Sequence, residues 1–102
     1  MKLAVENFAK LNKANKVVCL GGMRELGADT LIEHQMLIDQ LKQTNWEQVI
    51  LVGSEFKPCA HNYLYFDTVI EAKAWLQAQH LKGYTLLIKG SRGIQMEQLI
   101  AP

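Results

Sequence analysis

Four short apolar runs, rich in β-branched and aromatic residues, constrain the fold more than any other feature of the sequence. They lie at residues 16–20, 48–52, 62–66 and 84–88, and three of them are followed within two residues by glycine. Segments with apolar residues at helical spacing separate most of these runs. The order strand, helix, strand, short connection, strand, helix, strand, helix is typical of a parallel sheet that is covered on both faces.

The helical segments each have a predicted buried side. A helix over 1–13 is predicted to bury Leu3, Ala4, Phe8 and Leu11. Asp29 or Thr30 caps a second helix over about 31–43, which is predicted to bury Leu31, Ile32, Met36, Leu37, Ile38 and Leu41. A third helix over about 69–79 is predicted to bury Val69, Ala72, Trp75 and Leu76, and a last one follows at 94–100.

Right-handed crossovers between parallel strands leave few topologies for this order of elements. We predict a three-layer, Rossmann-like α/β fold with four mainly parallel strands in the order 3-2-1-4. The chain then reverses direction between strands one and four, and ligands of such sheets bind at the carboxyl ends of the strands on either side of that point. The loops that meet there are residues 22–27 and 89–93.

Composition narrows the class of protein. With 102 residues the chain is expected to form one domain, and 49% hydrophobic and 21% charged residues are usual for a globular protein. A net charge of +1 gives no reason to expect nucleic acid or a membrane surface as partner. Without a signal peptide or a long apolar run, we expect a cytoplasmic protein. We also expect a monomer, because no exposed apolar stripe demands a dimer. The spacing of Cys19 and Cys59 predicts neither a disulfide framework nor a metal site.

The turn from Lys89 to Gly93 is the first candidate binding feature. Gly90 and Gly93 allow a sharp bend, the following helix presents unpaired N–H groups, and Lys89 and Arg92 add two positive charges. Such a turn could bind an anion. The alternative is that the glycines only form the turn and that both cations are solvated.

Two motifs resemble a known family. The first strand runs into LGGMRELG at residues 20–27, His34 lies on the next helix, and KGSRGIQME follows the last strand at residues 89–97. In this order and spacing they resemble the carboxy-terminal domain of the Mur ligases, and within that family the members that add D-alanyl-D-alanine. The resemblance extends over most of the chain.

The resemblance implies a part of an enzyme. Residues 1–102 would be the third domain of a larger ATP-dependent ligase of peptidoglycan synthesis, which closes over the ATP site and positions the incoming dipeptide. ATP and Mg²⁺ would be bound mainly by a central domain outside this chain, and the partners would be the central and amino-terminal domains, D-alanyl-D-alanine and ATP. The excised domain would need no cofactor and is expected to be inactive by itself.

Site residues are transferred from the family motifs one by one. The resemblance implies that Lys89 and Arg92 neutralise the dipeptide carboxylate or a nucleotide phosphate, while Ser91 supplies a hydroxyl and an N–H group. Glu25 would pair with Arg24 or Arg92 or bind the dipeptide ammonium, its alternative being a surface salt bridge. Possible supporting residues are Gly90, Gly93, Arg24 and His34.

The chain departs from the family pattern at one position, and two further points argue against a catalytic role. Gly22 stands where the family usually has an aspartate, which puts in doubt any contact of that carboxylate. For His34, capping of local backbone or packing under the loop is favoured over proton transfer. No residue is predicted to be catalytic, because no Ser/His/Asp or Cys/His arrangement can be placed on facing loops.

Two rival interpretations remain open. One is an α/β module that binds a small anion or a protein partner without catalysis. The other is a Mur ligase with a different amino acid as acceptor, against which the lysine turn argues.

Overall fold

The computed structural model describes residues 2–11, 15–23, 30–59, 61–79, 83–90 and 94–100, and all structural statements concern these ranges. Their helices and strands are α1 (Lys2–Ala9), β1 (Lys16–Gly21), α2 (Thr30–Leu41), β2 (Gln48–Val52), β3 (Leu64–Phe66), α3 (Val69–Gln79) and β4 (Thr85–Lys89). Two 3₁₀ helices, Ser54–Phe56 and Met96–Ile100, follow β2 and β4.

The sheet has the predicted topology. Its strands lie in the order β3-β2-β1-β4, and every neighbouring pair is parallel. Gly21 is in register with Val52 of β2, and Leu20 is in register with Lys89 of β4. All strands therefore end at the same edge of the sheet, which we call the carboxyl edge.

A separate apolar cluster covers each face of the sheet. On the α1/α2 face, side chains of both helices pack on alternate strand residues such as Val18, Leu20 and Leu51. On the α3 face, α3 and the last 3₁₀ helix pack on the intervening residues such as Cys19 and Ile50. The two central strands are almost fully buried, whereas β3 and β4 are half-buried edge strands.

The end of α1 is fixed to the sheet by Lys16. Its ammonium group donates to the carbonyls of Ala9 at 2.8 Å, Leu11 at 3.2 Å and Phe8 at 3.3 Å, which satisfies acceptors that a helix end leaves open. The same ammonium lies 5.4 Å from the ring centre of Trp46, which stacks on Phe8. These contacts hold the end of α1 beside the start of β1, at the edge of the sheet opposite the carboxyl edge.

The buried sides of the first two helices differ from the prediction. In α1, Val5 and Phe8 are buried, whereas Leu3 and Leu11 are exposed. In α2, the buried residues are His34, Leu37, Ile38 and Leu41, whereas Leu31, Ile32 and Met36 are about half exposed or more. The apolar residues of α2 lie on more than one side of the helix, so their spacing alone does not indicate which side packs on the sheet.

Smaller differences concern the ends of elements. The segment predicted to form a last α-helix is a 3₁₀ helix, preceded by Gln95 in the left-handed region with φ of 58°. β3 covers three of the five predicted residues, while β2 and α3 have the predicted bounds. No helix in the described ranges has the length and apolar character needed to cross a bilayer.

Candidate functional site

The candidate site lies at the carboxyl edge, where β4 ends beside β1. Lys89 is the last residue of β4, and its side chain is exposed. Gly90 follows so close to β1 that a Cβ placed on it would lie 3.0 Å from the Cα of Gly21. The two loops predicted to meet therefore leave adjacent strands at the same edge of the sheet.

The structure describes only part of the predicted site. Lys89, Gly90 and His34 lie within the described residues, and the first two sit side by side on the carboxyl edge. The other predicted residues lie outside the described ranges: Arg24, Glu25, Ser91, Arg92 and Gly93.

His34 binds the backbone just after β1, at Met23. The N–H of Met23 donates to its Nε2 at 2.9 Å, so the proton of the ring lies on Nδ1, which donates to the carbonyl of Thr30 at 2.5 Å. The ring is fully buried and meets Phe56 edge-on, with 4.9 Å between ring centres. Both nitrogens are engaged with backbone, which is the capping arrangement favoured from the sequence over proton transfer.

On the α3 face, apolar side chains close the carboxyl edge. Met96 is buried, and a Cβ placed on Gly21 or Gly90 would lie 2.7 or 2.6 Å from its Cγ. Ile94 lies beside it, since its Cγ2 would be 2.9 Å from the same Cβ on Gly21. The two glycines thus leave room for Met96, and the Met of the KGSRGIQME motif packs over the junction of β1 and β4.

On the α1/α2 face, the same edge is polar. Lys89 points to this face, because side chains alternate along a strand and Leu87 of β4 packs into the α1/α2 cluster. Gly22 follows Leu20 by two residues and faces the same way. Glu55, from the 3₁₀ helix after β2, places its carboxylate directly against Gly22.

Sequence reasoning did not single out Glu55. A Cβ placed on Gly22 would collide with Oε1 of Glu55 and lie 2.9 Å from its Cδ. A Cβ placed on Gly53 would lie 2.7 Å from the same oxygen. The available signal was the pair of glycines that follow β1 and β2, since a side chain can approach a strand end closely where the Cβ is absent.

A surface groove of about 720 Å³ runs beside this site between α1 and α2. It reaches the carboxyl edge at Met23, and its other described lining residues include Lys2, Glu33 and Met36. Its walls mix charged and apolar side chains, and it does not include Lys89 or Glu55. The groove is therefore distinct from the polar edge itself.

The two cysteines are buried on opposite faces of the sheet. Cys19 lies in the α3 cluster, where burial raises the pKa of its thiol to about 12. Cys59 lies in the α1/α2 cluster, and burial, with a contribution from Asp39, raises its pKa as well. Neither thiol is activated for nucleophilic chemistry. Within the described ranges, no three His, Cys, Asp or Glu side chains are grouped as a metal site would require.

Comparison with known proteins agrees with this geometry. The chain is 27% identical over 106 residues to the UDP-N-acetylmuramoyl-tripeptide–D-alanyl-D-alanine ligase of Rickettsia prowazekii (strain Madrid E), a match that covers 98% of the chain. It superimposes on a crystal structure of MurF from Acinetobacter baumannii with a TM-score of 0.76, 26% identity and 98% coverage. It spans only 24% of the length of either relative. No protein-family model matches it.

The doubly wound sheet, with the glycines that follow β1 and β4, thus defines an α/β domain similar to the carboxy-terminal domain of the Mur ligases. Both comparisons support the resemblance drawn from the two motifs. The particular enzyme that the chain resembles is MurF, the UDP-N-acetylmuramoyl-tripeptide–D-alanyl-D-alanine ligase.

Proposed function

We propose that the chain is the carboxy-terminal domain of an ATP-dependent ligase that adds D-alanyl-D-alanine to UDP-N-acetylmuramoyl-tripeptide in peptidoglycan synthesis. The observation that carries this proposal is the similarity to an enzyme of that name along 98% of the chain. The position of Lys89 supports it, because ligands of doubly wound sheets bind at the carboxyl edge next to the point where strand order reverses.

In this role the domain closes over the ATP site and positions the incoming dipeptide. Lys89 and Arg92 neutralise the dipeptide carboxylate or a phosphate, and Ser91 adds a hydroxyl and an N–H group. Glu25 orients the turn or binds the ammonium of the dipeptide. His34 holds the loop after β1 through Met23. The supporting residues at the ends of the two loops are Arg24, Gly90 and Gly93.

The remaining parts of the reaction fall to the rest of the ligase. ATP with Mg²⁺ supplies the phosphoryl group that activates the carboxylate of the tripeptide, and a central domain outside this chain holds both. The chain contributes binding and closure, so the isolated domain is expected to be inactive. Such an enzyme would act in the cytoplasm, where its UDP-linked substrate is made.

The size and activity of the native polypeptide test this proposal. A polypeptide several times longer than 102 residues, with phosphate release that depends on ATP, UDP-N-acetylmuramoyl-tripeptide and D-alanyl-D-alanine together, would support it. A native polypeptide of 102 residues, or one without this activity, would contradict it and would favour the binding-module alternative.

Kinetics of variants in the native polypeptide test the role of the lysine turn. Lys89→Ala or Arg92→Ala is expected to raise the KM for D-alanyl-D-alanine at least tenfold, since a charge-assisted hydrogen bond contributes roughly 1.5–3 kcal/mol and tenfold corresponds to about 1.4 kcal/mol. Lys10→Ala is the control, because Lys10 is an exposed cation that follows α1 at the opposite edge of the sheet. Unchanged kinetics in both turn variants would remove the turn from the site.

A further inference from the structure

His34 is a buried polar side chain near the carboxyl edge. Among the residues that the structure describes, it is the only polar residue without solvent exposure. Its place on α2 and its edge-on contact with Phe56 fix the ring, so both nitrogens lie at defined positions. Nε2 accepts from the N–H of Met23, and Nδ1 donates to the carbonyl of Thr30. One ring thus joins the end of β1 to the first residue of α2.

The two bonds of the ring are not equivalent. The carbonyl of Thr30 already accepts the N–H of His34 in the first turn of α2, and a carbonyl oxygen has a second lone pair for Nδ1. The N–H of Met23 is a single donor, and the pairing of β1 ends before it, at Leu20 with β4 and at Gly21 with β2. Loss of Nδ1 therefore leaves the carbonyl satisfied, whereas loss of Nε2 removes the acceptor of the Met23 N–H.

Met23 is the residue at which the chain leaves the carboxyl edge. Gly21 and Gly22 precede it, and glycine restricts the backbone least, so the direction of the chain here depends on tertiary contacts. The N–H of Gly22 donates to the carbonyl of Val52 at 2.9 Å, and the next N–H, that of Met23, donates to His34. The backbone that leaves β1 is one wall of the crevice beside β4, where ligands of doubly wound sheets bind. The bond to Nε2 fixes the direction of that wall.

We infer that His34 is a positioning residue for the dipeptide site and that it acts through the bond between its Nε2 and the N–H of Met23. This inference rests on the proposed function, which places D-alanyl-D-alanine beside the ends of β1 and β4. It requires the neutral ring with its proton on Nδ1, because a proton on Nε2 would set two donors against each other. His34 contacts backbone, so its effect on the dipeptide is indirect.

Two conservative variants separate the two bonds. The amide of glutamine extends about as far from the backbone as Nε2, so in His34→Gln its oxygen can accept from the N–H of Met23. The amide of asparagine extends only as far as Nδ1, so His34→Asn can still donate to the carbonyl of Thr30 but does not reach Met23. Gln40→Asn is the matched control, since Gln40 lies further along α2 and its amide donates to the carbonyl of Lys2 at 3.0 Å.

Steady-state kinetics of the native polypeptide measure the effect. We expect His34→Asn to raise the KM for D-alanyl-D-alanine at least about fivefold, because a buried donor loses its acceptor. His34→Gln and Gln40→Asn should keep this KM close to the wild-type value, and the KM for ATP should be the same in all variants. A purely structural role would lower kcat with the folded fraction and would leave both KM values unchanged.

The tautomer of His34 provides a readout that does not depend on the stability of any variant. Long-range ¹H–¹⁵N spectra of the native polypeptide, labelled in its histidines, distinguish protonated from unprotonated ring nitrogens and should show the proton of His34 on Nδ1.

Three results would overturn the inference while the proposed function stands. They are a proton on Nε2, an unchanged dipeptide KM in His34→Asn, and equal increases of that KM in His34→Asn and His34→Gln. A wild-type polypeptide whose turnover does not depend on D-alanyl-D-alanine would overturn both.

Discussion

On the α3 face of the sheet, Met96 and Ile94 fill the space over the ends of β1 and β4, whereas on the α1/α2 face Glu55 and Lys89 leave the same edge polar. Glycines make both arrangements possible. Gly21 and Gly90 admit an apolar side chain on one face, and Gly22 admits a carboxylate on the other. Successive residues face opposite sides of a sheet. Two consecutive glycines at the end of β1 can therefore make room for an apolar side chain on one face and for a carboxylate on the other.

The largest expected effect is on the closed α3 face. Met96→Ala should lower the free energy of unfolding by about 2–5 kcal/mol, because it leaves a cavity between buried side chains and two strand ends. Urea denaturation measures the change. Met36→Ala is the matched control: Met36 is 53% exposed, against 4% for Met96, so its change should stay within about 0.5 kcal/mol. Equal losses in the two variants would contradict the packing role of Met96.

A smaller effect is expected when the glycine under Met96 gains a methyl group. Gly21→Ala should cost about 1–3 kcal/mol, since the new Cβ forces Met96 and Ile94 to move. In the double variant Gly21→Ala/Met96→Ala, the shorter side chain makes room, so the total loss should be less than the sum of the single losses. Strict additivity in the denaturation cycle would show that Gly21 and Met96 do not interact.

Stability at alkaline pH tests whether Cys19, in the cluster on the α3 face, is shielded from solvent. Because the pKa of Cys19 rises to about 12 in the folded chain from its ordinary value of 9.0, its contribution to stability is complete below pH 9 and is lost as the pH rises toward 12. Unfolding at pH 10 should be easier than at pH 8 by about 1.4 kcal/mol from this group alone.

Cys19→Ala provides the comparison for this pH dependence. Its stability should fall less between pH 8 and pH 10 than that of the wild type, since the unfolded chain no longer gains a thiolate at position 19. The pH dependence of stability that remains in the variant comes from other groups. One of them is Tyr65, whose pKa is raised by burial and by its hydrogen bond to Asp67. Identical slopes in wild type and variant would show that Cys19 is not in a dry environment.

The smallest expected effect is on the polar α1/α2 face. Gly22→Ala displaces the carboxylate of Glu55, because the new Cβ takes its position. Since the end of a flexible side chain can move, the free energy of unfolding should fall by only about 0.5–1.5 kcal/mol. Glu55→Ala combined with Gly22→Ala should relieve this cost, as thermal unfolding would reveal. A double variant no more stable than Gly22→Ala would mean that the two residues are not in contact.

Much of the scaffold could be predicted from the sequence. The β-rich runs that end at Gly21 and Gly53 indicated the central strands, and the handedness of crossovers indicated the strand order. The motif that begins at Lys89 identified the edge where the candidate site lies. These features depend on local composition and on the order of the elements along the chain, and both can be read directly from the sequence.

The choice of buried side chains was harder to predict. In α2, the polar His34 is buried while the apolar Ile32 is 61% exposed, because both ring nitrogens of His34 find backbone partners next to the sheet. Polarity alone predicts the reverse. Glu55 was missed for a similar reason: only the tertiary structure shows that two glycines, 31 positions apart in the printed sequence, lie against one carboxylate.

Amide chemical shifts of the ¹⁵N-labelled native polypeptide during titration with D-alanyl-D-alanine test the central claim most directly. We expect the signals of Met23, Glu55 and Gly90, at the polar edge, to change progressively with ligand concentration. Those of Ala72 and Leu99, inside the α3 cluster, should stay in place. Changes confined to the α3 cluster, or none at a ligand concentration that saturates turnover, would contradict a dipeptide site on the α1/α2 face.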